Sequence, residues 1–175
     1  VLTALTGSTV INPLTTMVET LVNSGGAATV MEATTAIRTA LGLPETINLL
    51  SYNPLAVLAS STATAAEKTV ALDVQAVSQQ LSNIITQAAS VFDYETAGEN
   101  IQSGAGAAVA LAIAQAITEA ASRDGNVNLT DENTIGKIIE AANTATGSTF
   151  TNAQIEQIAQ VTAESNTSAA AATSI

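Results

Sequence analysis

The sequence predicts an all-α fold: a compact bundle of about six or seven helices around a long central helix, behind a short extended N-terminal lead-in. Three observations predict it. Apolar residues recur at alternating spacings of three and four along most of the chain. Thr or Asn caps stand before these runs, several with Glu or Gln three residues on, and Gly or Pro follows them. The hydrophobic share is 47% but the aromatic share only 2%, so the core must be Ala, Val, Ile and Leu. Small side chains fill space only where backbones approach closely, which favours tightly packed helices.

Residues 1–11 are rich in Thr and Val with loose alternation, which suits a short strand, an extended lead-in or the end of a preceding module. Asn12-Pro13 starts the first helix, Asn as cap and Pro at the first helical position. Leu14, Met17, Val18, Leu21 and Val22 line one face, and Gly25-Gly26 stops it. Thr29 with Glu32 forms a capping box for a second helix whose inner face is Val30, Thr34, Ile37 and Leu41. Gly42 provides a left-handed end and Pro44 prevents resumption. Asn53-Pro54 opens a short helix through Leu58.

The clearest element starts at Thr64, boxed with Glu67. Val70, Val74, Val77, Leu81, Ile84, Ala88 and Val91 follow as a heptad seam. Ser78, Gln79, Ser82, Asn83 and Gln87 form its polar face. The flanking positions lack the opposed charges that specify a coiled-coil partner, so the seam belongs inside a bundle. Residues 93–103 read as a polar connection. Helix resumes near Gly104 and Gly106, which suit a close crossing, and turns Val109, Ile113, Ala116, Ile117 and Ala120 inward. After a loop over 124–131, Thr130 caps a helix with Ile135, Ile138, Ile139 and Ala142 inward, ended by Gly147. Thr151 and Gln154 box the last helix, with Ile155, Ile158, Ala159 and Thr162 inward. Residues 12–168 make the bundle domain and 169–175 a frayed tail or linker.

Composition excludes much chemistry. The chain has 15 Asp+Glu against 4 Lys+Arg, a net charge of -11, no His, no Cys and no Trp. Nucleic-acid binding needs basic groups that are missing here. No Cys means no disulfide and no thiolate metal site. Ser and Thr abound, but no His activates them and no Ser-x-x-Lys occurs. The longest apolar stretch, 104–117, is too short to span a membrane. These readings predict a non-enzymatic protein.

Hard cations on oxygen remain the one ion class the residue types suit. The loop 124–131 resembles the later half of a calcium loop, with Asp124, Asn126, Asn128 and Asp131 as candidate ligands around Gly125. The upstream ligand positions hold Ala120 and Ser122, and Asp131 stands where a bidentate Glu is expected. The alternative is a Gly turn leading into a capped helix. Asp93, Glu95 and Glu99 form a second acidic group, either cation-gathering or a solvated linker. Asn128-Leu-Thr130 and Asn166-Thr-Ser168 fit the glycosylation sequon.

Three stretches carry a family resemblance: 1–18, with its Asn12-Pro-Leu-Thr-Thr16 run, Ala40-Leu-Gly-Leu-Pro44, and Leu50-Ser-Tyr-Asn-Pro-Leu-Ala56. They resemble an all-helical module embedded in large secreted, adhesin-like bacterial surface proteins, cyanobacterial ones included. The resemblance is specific in the first third and generic in the Ala-rich helices. It implies an extracellular or cell-surface setting and no catalytic residues. It also implies neighbouring modules of the same polypeptide as partners, while the apolar lead-in, residues 1–11, and the small-residue tail suit binding to copies of the chain itself. The expected role is a structural or interaction module in adhesion or matrix. A self-assembling subunit of an extracellular filament or layer, and a calcium-dependent binding domain, are the alternatives.

Overall fold

Residues 2–96 and 105–173 are described by the computed structural model, except for the side chains of 90–96, 105–108, Ala120, Asp124 and Thr173. Seven helices occur among them and no strand: α1 (Pro13–Asn23), α2 (Val30–Ala40), α3 (Pro54–Ala59), α4 (Ala65–Thr96), α5 (Ala105–Asp124), α6 (Glu132–Thr146) and α7 (Asn152–Thr173). The all-α bundle with a long central helix is therefore the fold. α4 touches α1, α3, α5, α6 and α7, and α5 adds contacts to α1, α2 and α6.

Capping decides where most helices begin. Asn12 Oδ1 accepts from the Thr15 N–H at 3.0 Å, and Thr15 Oγ1 accepts in return from the Asn12 N–H at 3.0 Å. Thr64 and Glu67 make the predicted reciprocal pair, as do Thr151 and Gln154. The Thr29 box forms by half: its hydroxyl accepts from the Glu32 N–H, but the Glu32 carboxylate accepts from the Ala28 N–H instead. The cap of α6 lies one residue later than predicted. Asp131 Oδ1, not Thr130, takes the Thr134 N–H at 2.8 Å. A carboxylate is the better acceptor at the positive end of a helix.

The two predicted glycine ends hold. Gly42 (φ 65) and Gly147 (φ 70) are left-handed, and the N–H of the next residue reaches back to Arg38 and Asn143. α4 does not stop at residue 93: Asp93, Tyr94 and Glu95 continue it to Thr96, because no Gly or Pro interrupts 65–96. Glu99 and Gly104, like the surroundings of Gly106, lie outside the described residues. At the C-terminus the Ala run is helical to Thr173 rather than a frayed tail, as Ala's high helix propensity permits.

One core runs from Leu14 to Ala163. Most of the predicted inner faces of α1, α5 and α6 are buried, with Met17, Val18, Ile113, Ile117, Ile135, Ile138 and Ile139 all fully enclosed; Val22 and Ala116 are half-buried, and the Ala120 side chain lies outside those described. In α2 the inward face is Ala33, Ile37, Ala40 and Leu41, whereas Val30 is exposed and Thr34 half-buried. Small residues let α2 lie close to α1 and α5, so the stripe rotates toward its alanines. The heptad seam of α4 is internal: Val74, Leu81, Ile84 and Ala88 are buried, and Val91 lies outside the described side chains.

The polar face of α4 is also internal in part, which the sequence reading did not foresee. It meets α7 in an antiparallel seam. Asn83 Nδ2 donates to Asn166 Oδ1 at 3.0 Å, Gln80 Nε2 to the Asn166 carbonyl at 3.4 Å, and Thr162 Oγ1 to Gln87 Oε1 at 3.0 Å. Asn166 Nδ2 then donates to the Leu129 carbonyl at 2.7 Å. Thr162 and Asn166 are wholly buried. The second sequon asparagine is thus a structural crosspiece between α4, α7 and the α5–α6 loop.

The lead-in has no regular structure, turns at Thr6-Gly7, where the Ser8 N–H donates to the Leu5 carbonyl at 3.0 Å, and is tied down. The Thr3 N–H donates to Thr16 Oγ1 at 2.9 Å, and the Thr3 carbonyl accepts from the hydroxyls of Thr15 and Thr16. The Thr9 N–H donates to the Leu50 carbonyl at 2.9 Å. These bonds explain why Thr15 and Thr16 are buried on α1.

Candidate functional site

The loop predicted as a calcium candidate is built as a connection between two helices. Asp124 is the last residue of α5, and its side chain is not among those described. Gly125 turns the chain at φ 82. The Val127 N–H donates to the Ala40 carbonyl at 2.7 Å, fixing the loop against the end of α2. Asn126 lies over Gly42, where its Nδ2 would stand 2.6 Å from any Cβ added to that glycine. Asn128 Oδ1 accepts from the Thr130 N–H at 3.0 Å and from the Thr130 hydroxyl at 2.7 Å. Asp131 Oδ1 accepts from the N–H and the hydroxyl of Thr134. These two bonds, aided by Lys137, hold the Asp131 carboxyl below its usual range.

Two of the candidate ligand oxygens are therefore engaged in a turn and a cap. A calcium ion takes six to eight oxygens converging on one point. Among the described residues no group of three or more acidic side chains gathers in that way. Asp93 and Glu95 sit in the last turn of α4, but their side chains, and all of Glu99, fall outside the described residues.

A different site emerges where the lead-in, the N-terminus of α1, the N-terminus of α3 and the middle of α4 meet. They enclose a groove of about 400 Å³. Both Asn-Pro pairs border it. Asn12 Oδ1 caps α1, and Asn53 Oδ1 accepts from the Ala56 N–H at 3.1 Å to cap α3. A backbone N–H requires the oxygen of each carboxamide, so each Nδ2 is left as a donor. Gln79 Nε2 donates to Asn83 at 3.2 Å, which leaves Gln79 Oε1 as an acceptor. Tyr52 joins the lining, its phenol held above the usual range by burial and by the Glu67 charge. It is thus a neutral hydroxyl near pH 7. Ser78, on the groove wall, is 8% exposed, and its Oγ has no partner.

Among the described residues no charged side chain lines this groove. Residues 1–18, 46–66 and 74–92 contain no Asp, Glu, Lys or Arg, and the lining comes entirely from these three runs. Leu2, Ile11 and Leu55 border it, with Ile11 67% and Leu55 61% exposed. In the sequence the Asn-Pro pairs read as punctuation. The signal that could have revealed the site is their repetition within uncharged runs. The groove can bind through amide, hydroxyl and apolar contact, and it contains no group able to exchange a proton near pH 7.

Comparison with family models, with curated proteins and with solved structures found no match.

Proposed function

We propose that this chain is a non-enzymatic structural or interaction module of a secreted or cell-surface bacterial protein, with a role in adhesion or matrix. The observation that carries the reading is the neutral groove. A body of net charge -11 has a groove whose described lining is uncharged, with large apolar side chains exposed at it. Exposed apolar patches of this kind mark contact surfaces. Among the described residues no helix is long and apolar enough to cross a membrane, so attachment would come through neighbouring modules or partners. The resemblance of 1–18, 40–44 and 50–56 to surface-protein modules points the same way.

Labelling intact producing cells with a membrane-impermeant amine reagent tests the setting. Lys137 is exposed and should be modified without lysis. Modification only after lysis would sink the reading. The calcium-dependent alternative rests on the 124–131 loop, and it fails if the melting temperature is the same in calcium and in chelator.

A further inference from the structure

We infer that the neutral groove is a self-association surface, where two copies of this chain meet about a two-fold axis with Ile11 and Leu55 of each seated in the other's groove. The inference deepens the proposed interaction role and rests on it. Two physical facts select a second copy as the occupant. The first is electrostatic. Two bodies of charge -11 repel over most of their surfaces, and the cheapest approach is through the face without charge. That face is the groove, lined wholly from the uncharged runs 1–18, 46–66 and 74–92. The second is shape. Ile11 and Leu55 project beside a hole of about 400 Å³. A protrusion next to a recess on one surface is what a two-fold contact requires, because each patch must complement itself.

The amide donors of Asn12 and Asn53 fit the same contact. Their orientations are locked by capping, so they can meet backbone carbonyls of the partner's lead-in with little entropy lost. Burial of the isoleucine and leucine pairs supplies the attraction.

Sedimentation equilibrium on the full 175-residue chain, from micromolar to millimolar, tests the proposal. A concentration-dependent dimer is expected. It should tighten as salt rises from about 10 to about 150 mM, since screening removes repulsion between the acidic bodies while the neutral contact is untouched. Ile11→Asp and Leu55→Asp should each weaken it by about tenfold or more. Met31→Asp should not, although Met31 is the most exposed large apolar residue at 78%, because it lies away from the groove. Circular dichroism checks that each variant keeps its helices. A chain monomeric at every concentration overturns the proposal. So does dimerisation unchanged by both groove variants, or weakened equally by Met31→Asp. A monomer found on intact cells would defeat the dimer but leave the surface-module reading standing. A dimer labelled only after lysis would do the reverse.

Discussion

Asn166 binds two separate parts of the molecule, α4 and the α5–α6 loop, through one side chain, so its loss leaves more than a gap. Asn166→Ala would strip the Leu129 carbonyl and the Asn83 amide of their partners inside the bundle. Unsatisfied buried groups cost on the order of 1–3 kcal/mol, and a loss of about 2 kcal/mol is expected in urea denaturation. Asn128→Ala, which removes the acceptor of an exposed turn, should cost under about 1 kcal/mol. Equal losses would mean that the seam contributes nothing special. The burial of Asn166 also means that its sequon is closed to modification once the chain has folded, whereas Asn128 is exposed.

Among the elements, α6 contains a residue that can be improved. Gly136 lies inside the helix, and a Cβ there would meet Ala159 at 3.7 Å, an ordinary contact. Gly136→Ala should therefore stabilise the chain by about 0.5–1 kcal/mol, read as a higher denaturation midpoint. A lower midpoint would show that α6 and α7 are closer than this distance implies. The helix starts carry the acid sensitivity. Glu67 is held below its ordinary value by the Thr64 N–H and hydroxyl, and Asp131 by Thr134. Groups with lowered folded-state values stabilise above the ordinary carboxylate range and lose that contribution as pH falls through the folded value. Stability should thus fall below about pH 4, and less steeply in Asp131→Asn, which has no charge to lose. An identical slope in that variant would remove Asp131 from the explanation.

Helix positions and most inward faces were legible because caps and apolar spacing are local signals. Asn12, Thr64, Thr151, Gly42 and Gly147 each act as their sequence context predicts. What could not be read was which polar residues face a neighbour. Asn83 and Gln87 read as part of a polar face until α7 supplies Thr162 and Asn166, more than seventy residues away. The groove stayed hidden for the same reason, since three distant runs assemble it. The 124–131 loop was legible both as an oxygen-rich stretch and as a turn into a capped helix; what the sequence misplaced was the cap, which is Asp131 rather than Thr130.

For the whole molecule, the continuity of the core is the governing feature. Side chains from α1, α2, α4, α5, α6 and α7 form one connected cluster. Elements that share a core unfold together, so calorimetric and van't Hoff enthalpies should agree in a single transition. Two resolved transitions would show that α6 and α7 separate from the rest. The core is fine-grained, with Ala33, Ala40, Ala88, Ala114 and Ala142 wholly buried between helices. Such close approach leaves little room for larger groups, and overpacking costs about 1–3 kcal/mol.

The placement of Tyr52 gives the molecule a built-in optical gauge. The chain has no Trp and only two tyrosines, so its ultraviolet emission comes almost entirely from Tyr52 and Tyr94. With Tyr94→Phe a single fluorophore would remain, standing in the groove wall. Anything that fills the groove would change the water around that ring and its quenching by neighbours, so occupancy could be followed without attaching a dye.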